Sequence, residues 1–505
     1  MLDYLIERSG VIREPVEGRV DFVHRTVQEY LTARAAAEVG DVEPLVLNAH
    51  RDQWREVVVM AAGHANAPLR EELLDGLLTR MAAEPRHRRR LKIVVCACLE
   101  TLPAVPERLR EAVDRCLDDL VPPRDLATAR SLSLAGQIIL DRLPADLRGL
   151  SPAAARACVT TAHLINGPAA LDLLARYASD DRVRRALVEA WRYFEPNVYA
   201  DRVLSAMETP PERLIVETPG QLNAVRGLPP QRRIHLNVVK VRDLSPLLAH
   251  RESLVGLTLN SDLSEADLEV VSRLSALTEL TMVGVGELGF LTGLRHLTGL
   301  FLANIPSVTD FSPLSGLTGL REIVIVGAAS LTTWDCLPPL HSLSELSLSE
   351  VPVVTSVREI AERAPRLRSL HLGEYDSLAD LDAVSGLKLD RLSLLDIRAI
   401  DDISALSGCG TLTWLDLQRI PVHDLRPLVH LDRLTHLDLT GCPALRDLSA
   451  LAQLGWLRTL HLSGAPAGLD LAPLAANPQL EVWIKTGQEV RNGHLLGRRL
   501  KHSTY

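Results

Sequence analysis

The feature that most constrains this chain is a hexad, LxxLxL or a close variant. It begins at Leu254, Leu277, Leu297, Leu320, Leu343, Leu367, Leu389, Leu412, Leu434 and Leu457, with successive starts 20 to 24 residues apart. Less regular units beginning at Gln231 (QRRIHL) and Leu480 (LEVWIK) read in phase at the two ends. One such unit is a short strand that cannot bury its apolar side alone, so the units must stack, and stacking makes one continuous core with atypical units closing its ends.

A second motif follows many of the strands: DFSPLSGL from Asp310, DISALSGC from Asp402, DLRPLVHL from Asp424, DLSALAQL from Asp447 and DLAPLAAN from Asp470. Each supplies an Asp to cap a short helical or 3₁₀ turn whose apolar residues face the strand. The two linked patterns predict an α/β leucine-rich-repeat solenoid of about 11 to 12 repeats over residues 212–485, with 486–505 as C-terminal cap and tail. The spacing with D-[LIF]-x-[PA]-L resembles the bacterial, internalin-like class of repeat.

Composition agrees with a repeat-built chain. Of 505 residues, 47% are hydrophobic but only 4% aromatic, so aliphatic side chains must fill the interior. A formal charge of -9 argues against a nucleic-acid binder driven by bulk electrostatics. Seven cysteines, Cys96, Cys98, Cys116, Cys158, Cys336, Cys409 and Cys442, form neither a disulfide framework nor paired zinc spacings, which fits a reducing, cytoplasmic location. Neither a signal peptide nor a run of about 18 apolar residues is found, so no membrane association is expected.

The first 211 residues read as α-helical. Leu5 and Ile6 suggest a helix; Val11, Ile12, a turn at Glu17-Gly18, then Val20, Phe22 and His24 suggest a β-hairpin; Thr26 to Glu38 reads as a helix. Helical periodicity follows over 41–211, with faces at Leu69, Leu73, Leu74, Leu77, Leu78 and Met81, and at Val183, Ala186, Leu187, Ala190, Trp191 and Phe194. Pro and Gly breaks between helix pairs suggest an α-solenoid spacer. The run Arg86-His87-Arg88-Arg89-Arg90 with Lys92 reads either as a phosphate or nucleic-acid contact or as a solvated helix end. Cys96-x-Cys98 supplies too few ligands for structural zinc and reads as core.

Phe22-Val-His24-Arg-Thr26-Val-Gln28-Glu29-Tyr30-Leu31-Thr-Ala33 resembles the F-x-H-x-[ST]-x-Q-E-[FY]-x-A-A signature that closes the winged-helix domain of NACHT-family, NLR-like STAND ATPases. The resemblance implies that 1–40 is a winged-helix remnant, that 41–211 is the family's helical spacer opening with QWREVVVMAAGHA from Gln53, and that His24 lies beside the phosphate of bound ADP. Val27 stands where the family often has an aromatic residue. No G-x-x-x-x-G-K-[ST] phosphate loop occurs in the sequence, so no ATP hydrolysis is expected of it, and ADP or ATP with Mg is expected only in a longer protein. An upstream NACHT domain is then an intramolecular partner.

The remaining candidate residues come from the hexad itself. Its third and fifth positions face the concave side of the sheet and stack into columns. The first half carries an acidic line, Glu279, Glu322 and Glu345; the second gathers Arg391, Trp414, Asp416, His436, Asp438 and His461 on adjacent strands. Aromatic, Arg and mixed charged groups on a rigid sheet suit a protein-binding hot spot. Two His beside two Asp also raise a metal site as an alternative. No nucleophile elbow, HExxH or deaminase signature is found, so the chain is expected to recognise a protein ligand rather than catalyse a reaction. One reading is the sensor half of an NLR-like signalling or antiphage defence protein, the other a stand-alone repeat scaffold.

Overall fold

The computed structural model describes residues 11–16, 19–101, 105–334, 337–375, 378 and 380–503. The helix read at Leu5 and Ile6, the turn at Glu17-Gly18 and Cys336 lie outside them. The chain forms two compact units, divided between Pro211 and Glu212.

The first unit opens with an antiparallel hairpin, Ile12–Val16 against Arg19–Phe22, in which Ile12 faces Phe22 and Arg13 faces Asp21. The helix Arg25–Val39 follows and stops at Gly40, whose left-handed φ of 79° lets its N–H close on the Ala36 carbonyl. Later helices carry local start signals: Asn66, Asp125 and Ser151 each accept a hydrogen bond from the N–H three residues on, at the heads of Ala67–Ala83, Leu126–Ser133 and Pro152–Ile165. Leu73, Leu74 and Leu77 of the first sequence-read face and Val183, Ala186, Leu187, Ala190 and Trp191 of the second are buried, while Leu69, Leu78, Met81 and Phe194 are partly exposed. Cys96 and Cys98 are fully buried, and burial pushes both thiols up to about 12, the behaviour of core residues.

The second unit is a leucine-rich-repeat solenoid. Among the described residues its parallel sheet has 14 strands in chain order, from Leu214–Val216 to Leu500–Ser503. A parallel sheet needs a crossover between strands, and here each crossover is a short turn rather than a long helix. The fourth and sixth hexad leucines point inward and stack strand on strand: Leu257, Leu280, Leu300, Leu346, Leu370, Leu392, Leu415, Leu437 and Leu460 are at most 4% exposed.

One device holds adjacent repeats in register and two shape the turns within each repeat. The hydroxyls of Thr278, Thr298, Ser344, Thr413 and Thr435, beside the first hexad leucine, donate to carbonyls of the preceding repeat at 2.9–3.1 Å. The Asp of the second motif accepts from the N–H two residues on at 2.8–2.9 Å, at Asp310, Asp402, Asp424, Asp447 and Asp470. It therefore sits one residue before the N-cap, which is the following Phe, Ile or Leu, because a two-residue Asx turn leads into the 3₁₀ segment. A residue with left-handed φ ends the strand segment in repeat after repeat: Gly284, Asn304, Gly327, Glu350, Glu374, Asp396, Arg419, Gly441 and Gly464.

The ends differ from the hexad reading in two respects. The sheet begins one strand before Gln231, with Leu214 paired to Ile234, and it continues past Ile484, with Val482 paired to Leu500. The last full repeat is also one residue out of phase with a hexad begun at Leu480: Thr459 pairs with Glu481 and His461 with Trp483. Val482 and Ile484 take the inward positions at 0% and 1% exposure, since the other phase would turn Lys485 toward the core.

Candidate functional site

The register carries the third-position column across the C-terminal half of the sheet as Ser369, Arg391, Trp414, His436, Thr459 and Glu481. The fifth-position column runs His371, Ser393, Asp416, Asp438, His461 and Trp483. Arg391, Trp414, Asp416, His436, Asp438 and His461 therefore lie on four adjacent strands.

Parallel strands stand about 4.8 Å apart, close to the stacking distance of flat groups, so planar side chains at one repeat position form a pile. The Trp414 indole and His436 imidazole are stacked at 4.5 Å between centroids and 13° between planes. The Arg391 guanidinium lies 5.5 Å from the Trp414 ring centroid, a cation–π contact. His461 and Trp483 form a second parallel pair, 5.9 Å apart and 9° inclined. Trp414 remains 40% exposed, a large apolar surface held rigidly at the sheet face.

Beside the pile lies a carboxylate pair. The Gln418 amide bridges it, donating through Nε2 to Oδ2 of Asp416 at 3.1 Å and Oδ2 of Asp438 at 3.2 Å. The Ser393 hydroxyl also donates to Asp416 at 3.2 Å, and the Thr440 N–H holds Asp438 at 2.8 Å. Asp416 Oδ1 is buried without a hydrogen-bond partner. Burial, reinforced by the neighbouring Asp438 charge, pushes the Asp416 carboxyl up to about 6. His436 is moved the other way: burial, then Arg391 and His461, hold it below the usual imidazole range. The hydroxyl of Thr435 lies 2.8 Å from His436 Nδ1.

Among the described residues no three His, Cys, Asp or Glu side chains converge as a metal would require, so the metal alternative has no geometric support. The acidic line is partly internal. Arg233 crosses over Gly256 to pair with Glu279 two strands away, its Nη2 at 2.8 Å from Oε1, and a Cβ at Gly256 would meet the Arg233 side chain at 3.1 Å. Glu322 and Glu345 face each other in register and remain exposed.

His24 belongs to the first unit. It occupies the N-cap position of Arg25–Val39, exposed, and its side chain makes no capping hydrogen bond. Sequence reasoning places Ser393 in the fifth-position column without singling it out, and misses Gln418, Thr440 and Trp483. Trp483 was hidden by the one-residue slip at Leu480; Gln418 and Thr440 lie just beyond the six residues of the motif.

No protein-family model matches the chain, and no curated protein matches it. Solved structures do. An internalin of Listeria monocytogenes is 18% identical, covering 58% of this chain and 86% of its own, with a TM-score of 0.39. A leucine-rich-repeat protein of Leptospira interrogans is 17% identical over 65% of this chain and 95% of its own, at 0.37. The TLR13–ssRNA13 complex is 16% identical over 52% and 55%, at 0.31. With its parallel strands, inward leucines and short return turns, the chain has a helical N-terminal half followed by a leucine-rich-repeat solenoid.

Proposed function

We propose that the open face formed by Arg391, Trp414, Asp416, His436, Asp438 and His461 binds a protein ligand, and that this binding is the input to an NLR-like switch acting in signalling or antiphage defence. The single observation that carries the recognition part is the exposed Trp414 plane clamped between Arg391 and His436. Rigid aromatic and Arg groups lose little conformational entropy on binding, which is why they dominate interface energetics.

The switch part rests on the FVHRTVQEY resemblance. In support, Arg19–Phe22 leads directly through His24 into Arg25–Val39, leaving the imidazole exposed at a helix head where a phosphate contact is chemically reasonable. The nucleotide, ADP or ATP with Mg, would be held by a NACHT ATPase, for which this sequence carries no phosphate loop.

The test of recognition is site-specific photo-crosslinking in cells with the reactive group at position 414 and, as control, at exposed Trp456. A discrete protein captured from 414 alone, and lost from Trp414→Ala/Asp438→Ala in affinity purification, supports the reading; equal capture from both positions removes it. Gene sequence upstream of Met1 separates switch from scaffold: an in-frame Walker A motif favours the switch, and its absence favours a stand-alone repeat scaffold.

A further inference from the structure

We propose that the cleft between the helices Arg55–His64, Arg88–Thr101 and Leu126–Ser133 is a binding site for a small anion bearing two or more phosphoryl groups. The inference is independent of the repeat face. The cleft has a volume of about 340 Å³, within the range of small-molecule sites. It is lined by the guanidiniums of Arg51, Arg55, Arg89 and Arg90, against only two carboxylates, Asp52 and Asp125.

The carboxylates do not neutralise this set. Asp125 caps Leu126–Ser133 by accepting from the Thr128 N–H and hydroxyl, both at 2.8 Å, and its other oxygen holds Arg89 at 2.9 Å. Asp52 makes no ion pair with any of the arginines. Arg55 reaches only the Ser131 hydroxyl, at 3.4 Å, and its Nε is buried with no partner at all. Arg90 touches only the His50 carbonyl, also at 3.4 Å, and the Arg51 side chain makes neither a hydrogen bond nor an ion pair. Buried guanidinium N–H groups left unmatched are costly, and a planar fork with several free donors matches phosphate geometry.

Helix placement adds to the charge. Arg55, Arg89, Arg90, Ala127 and Thr128 come from the first turns of three helices, so positive dipole ends contribute to one cleft, while Arg51 lies on the segment leading into Arg55–His64. Arg88–Thr101 has no acidic residue in its first turn and three arginines there, the reverse of the favourable arrangement. An anion would offset both. A second cleft of about 250 Å³ shares Arg89 and Thr128 with the first and adds Arg88 and Arg124, with Lys92 there paired to Asp119, so linked phosphoryl groups have a neighbouring station with further guanidiniums.

The test is calorimetric titration of the full chain with inorganic tripolyphosphate, with ATP and citrate as parallel arms. Saturable tripolyphosphate binding is expected, weakened on the order of tenfold or more by Arg51→Gln/Arg55→Gln/Arg90→Gln. Arg273→Gln/Arg295→Gln/Arg433→Gln, which removes the same charge from the repeat unit, should leave it unchanged. Should the cleft triple variant fail to fold, Arg51→Gln alone, at an exposed side chain without partners, should still weaken binding about threefold. ATP equal to tripolyphosphate assigns recognition to the phosphoryl groups, and ATP tighter assigns a nucleotide source; both support the site. Absent binding, citrate binding as tightly as tripolyphosphate, an undiminished Arg51→Gln variant, or equal loss in the repeat-unit variant would each overturn it.

Discussion

The indole of Trp414 lies flat on the imidazole of His436, 4.5 Å away and 13° inclined, although the two residues are 22 positions apart in the chain. The contact follows from register: one residue per repeat, at one hexad position, meets its counterpart at the strand spacing. Trp414→Ala should therefore leave the fold intact, costing less than about 1 kcal/mol because the ring is exposed on a sheet held by its buried leucines. The His436 ring protons should move downfield in the proton NMR spectrum as the indole ring current is lost, while those of His461, stacked on Trp483, stay in place. Unmoved His436 resonances would show that the pile does not persist in solution.

Asp416 gives the same surface a pH response. Its carboxyl is raised from 3.8 in the unfolded chain to about 6 in the fold, so the folded protein holds the proton more tightly. Its contribution to stability is thus fully present below pH 3.8 and is lost as the pH rises through about 6. Asp416→Asn should be more stable than the parent at pH 7, by about 1 kcal/mol after allowing for partial exposure, and the advantage should shrink toward pH 4.5. Denaturant midpoints of the two proteins at both pH values measure this, and an advantage independent of pH contradicts the assignment.

What the sequence reveals depends on the range of the interaction. The hexad specifies burial and pairing locally, so Leu392, Leu415 and Leu437 can be placed in the core, and Arg391, Trp414 and His436 in one column, without coordinates. The Gln418 bridge to Asp416 and Asp438 is less legible, because it depends on a rotamer at a position outside the motif. The register at Trp483 hangs on a spacing of 22 residues from His461 where the preceding repeat has 23, and only the requirement to exclude Lys485 from the core reveals the slip. In the helical unit, Arg55 and Arg90 are separated by 35 residues with no repeat to relate them, so their common cleft is purely tertiary information.

His163 sits in that unit, 9% exposed and stacked on Tyr193 at 4.5 Å, with Nδ1 lacking a hydrogen-bond partner. Burial drives its imidazole from 6.5 down to about 4, so the fold favours the neutral ring. This contribution is complete above pH 6.5 and is lost as the pH falls toward 4, where the unfolded chain is protonated first; its ceiling is about 3 kcal/mol. His163→Phe keeps the stacked ring and removes the proton. Amide exchange in peptides spanning 152–165, corrected for intrinsic rates, should quicken between pH 6.5 and 4.5 in the parent and change less in the variant. Parallel behaviour of both proteins would rule out His163 as the source.

The turn that ends each strand segment suggests a stabilising change. Gly327 meets the left-handed requirement without cost, but the next repeat places Glu350 there at φ 53°, exposed and with no side-chain partner. A residue with a Cβ pays about 1–2 kcal/mol for that conformation, whereas glycine adopts it freely but loses more backbone entropy on folding. Glu350→Gly should therefore raise stability by about 0.5–1 kcal/mol, the difference between those two effects. Arg419, at the same position two strands before Gly464, is the internal contrast: its Nε donates to Asp396 at 3.2 Å and its side chain packs over Gly441. Arg419→Gly gives up those contacts and should gain less. Unfolding midpoints that rank the two variants in the opposite order would mean that side-chain contacts, rather than backbone strain, govern these turns.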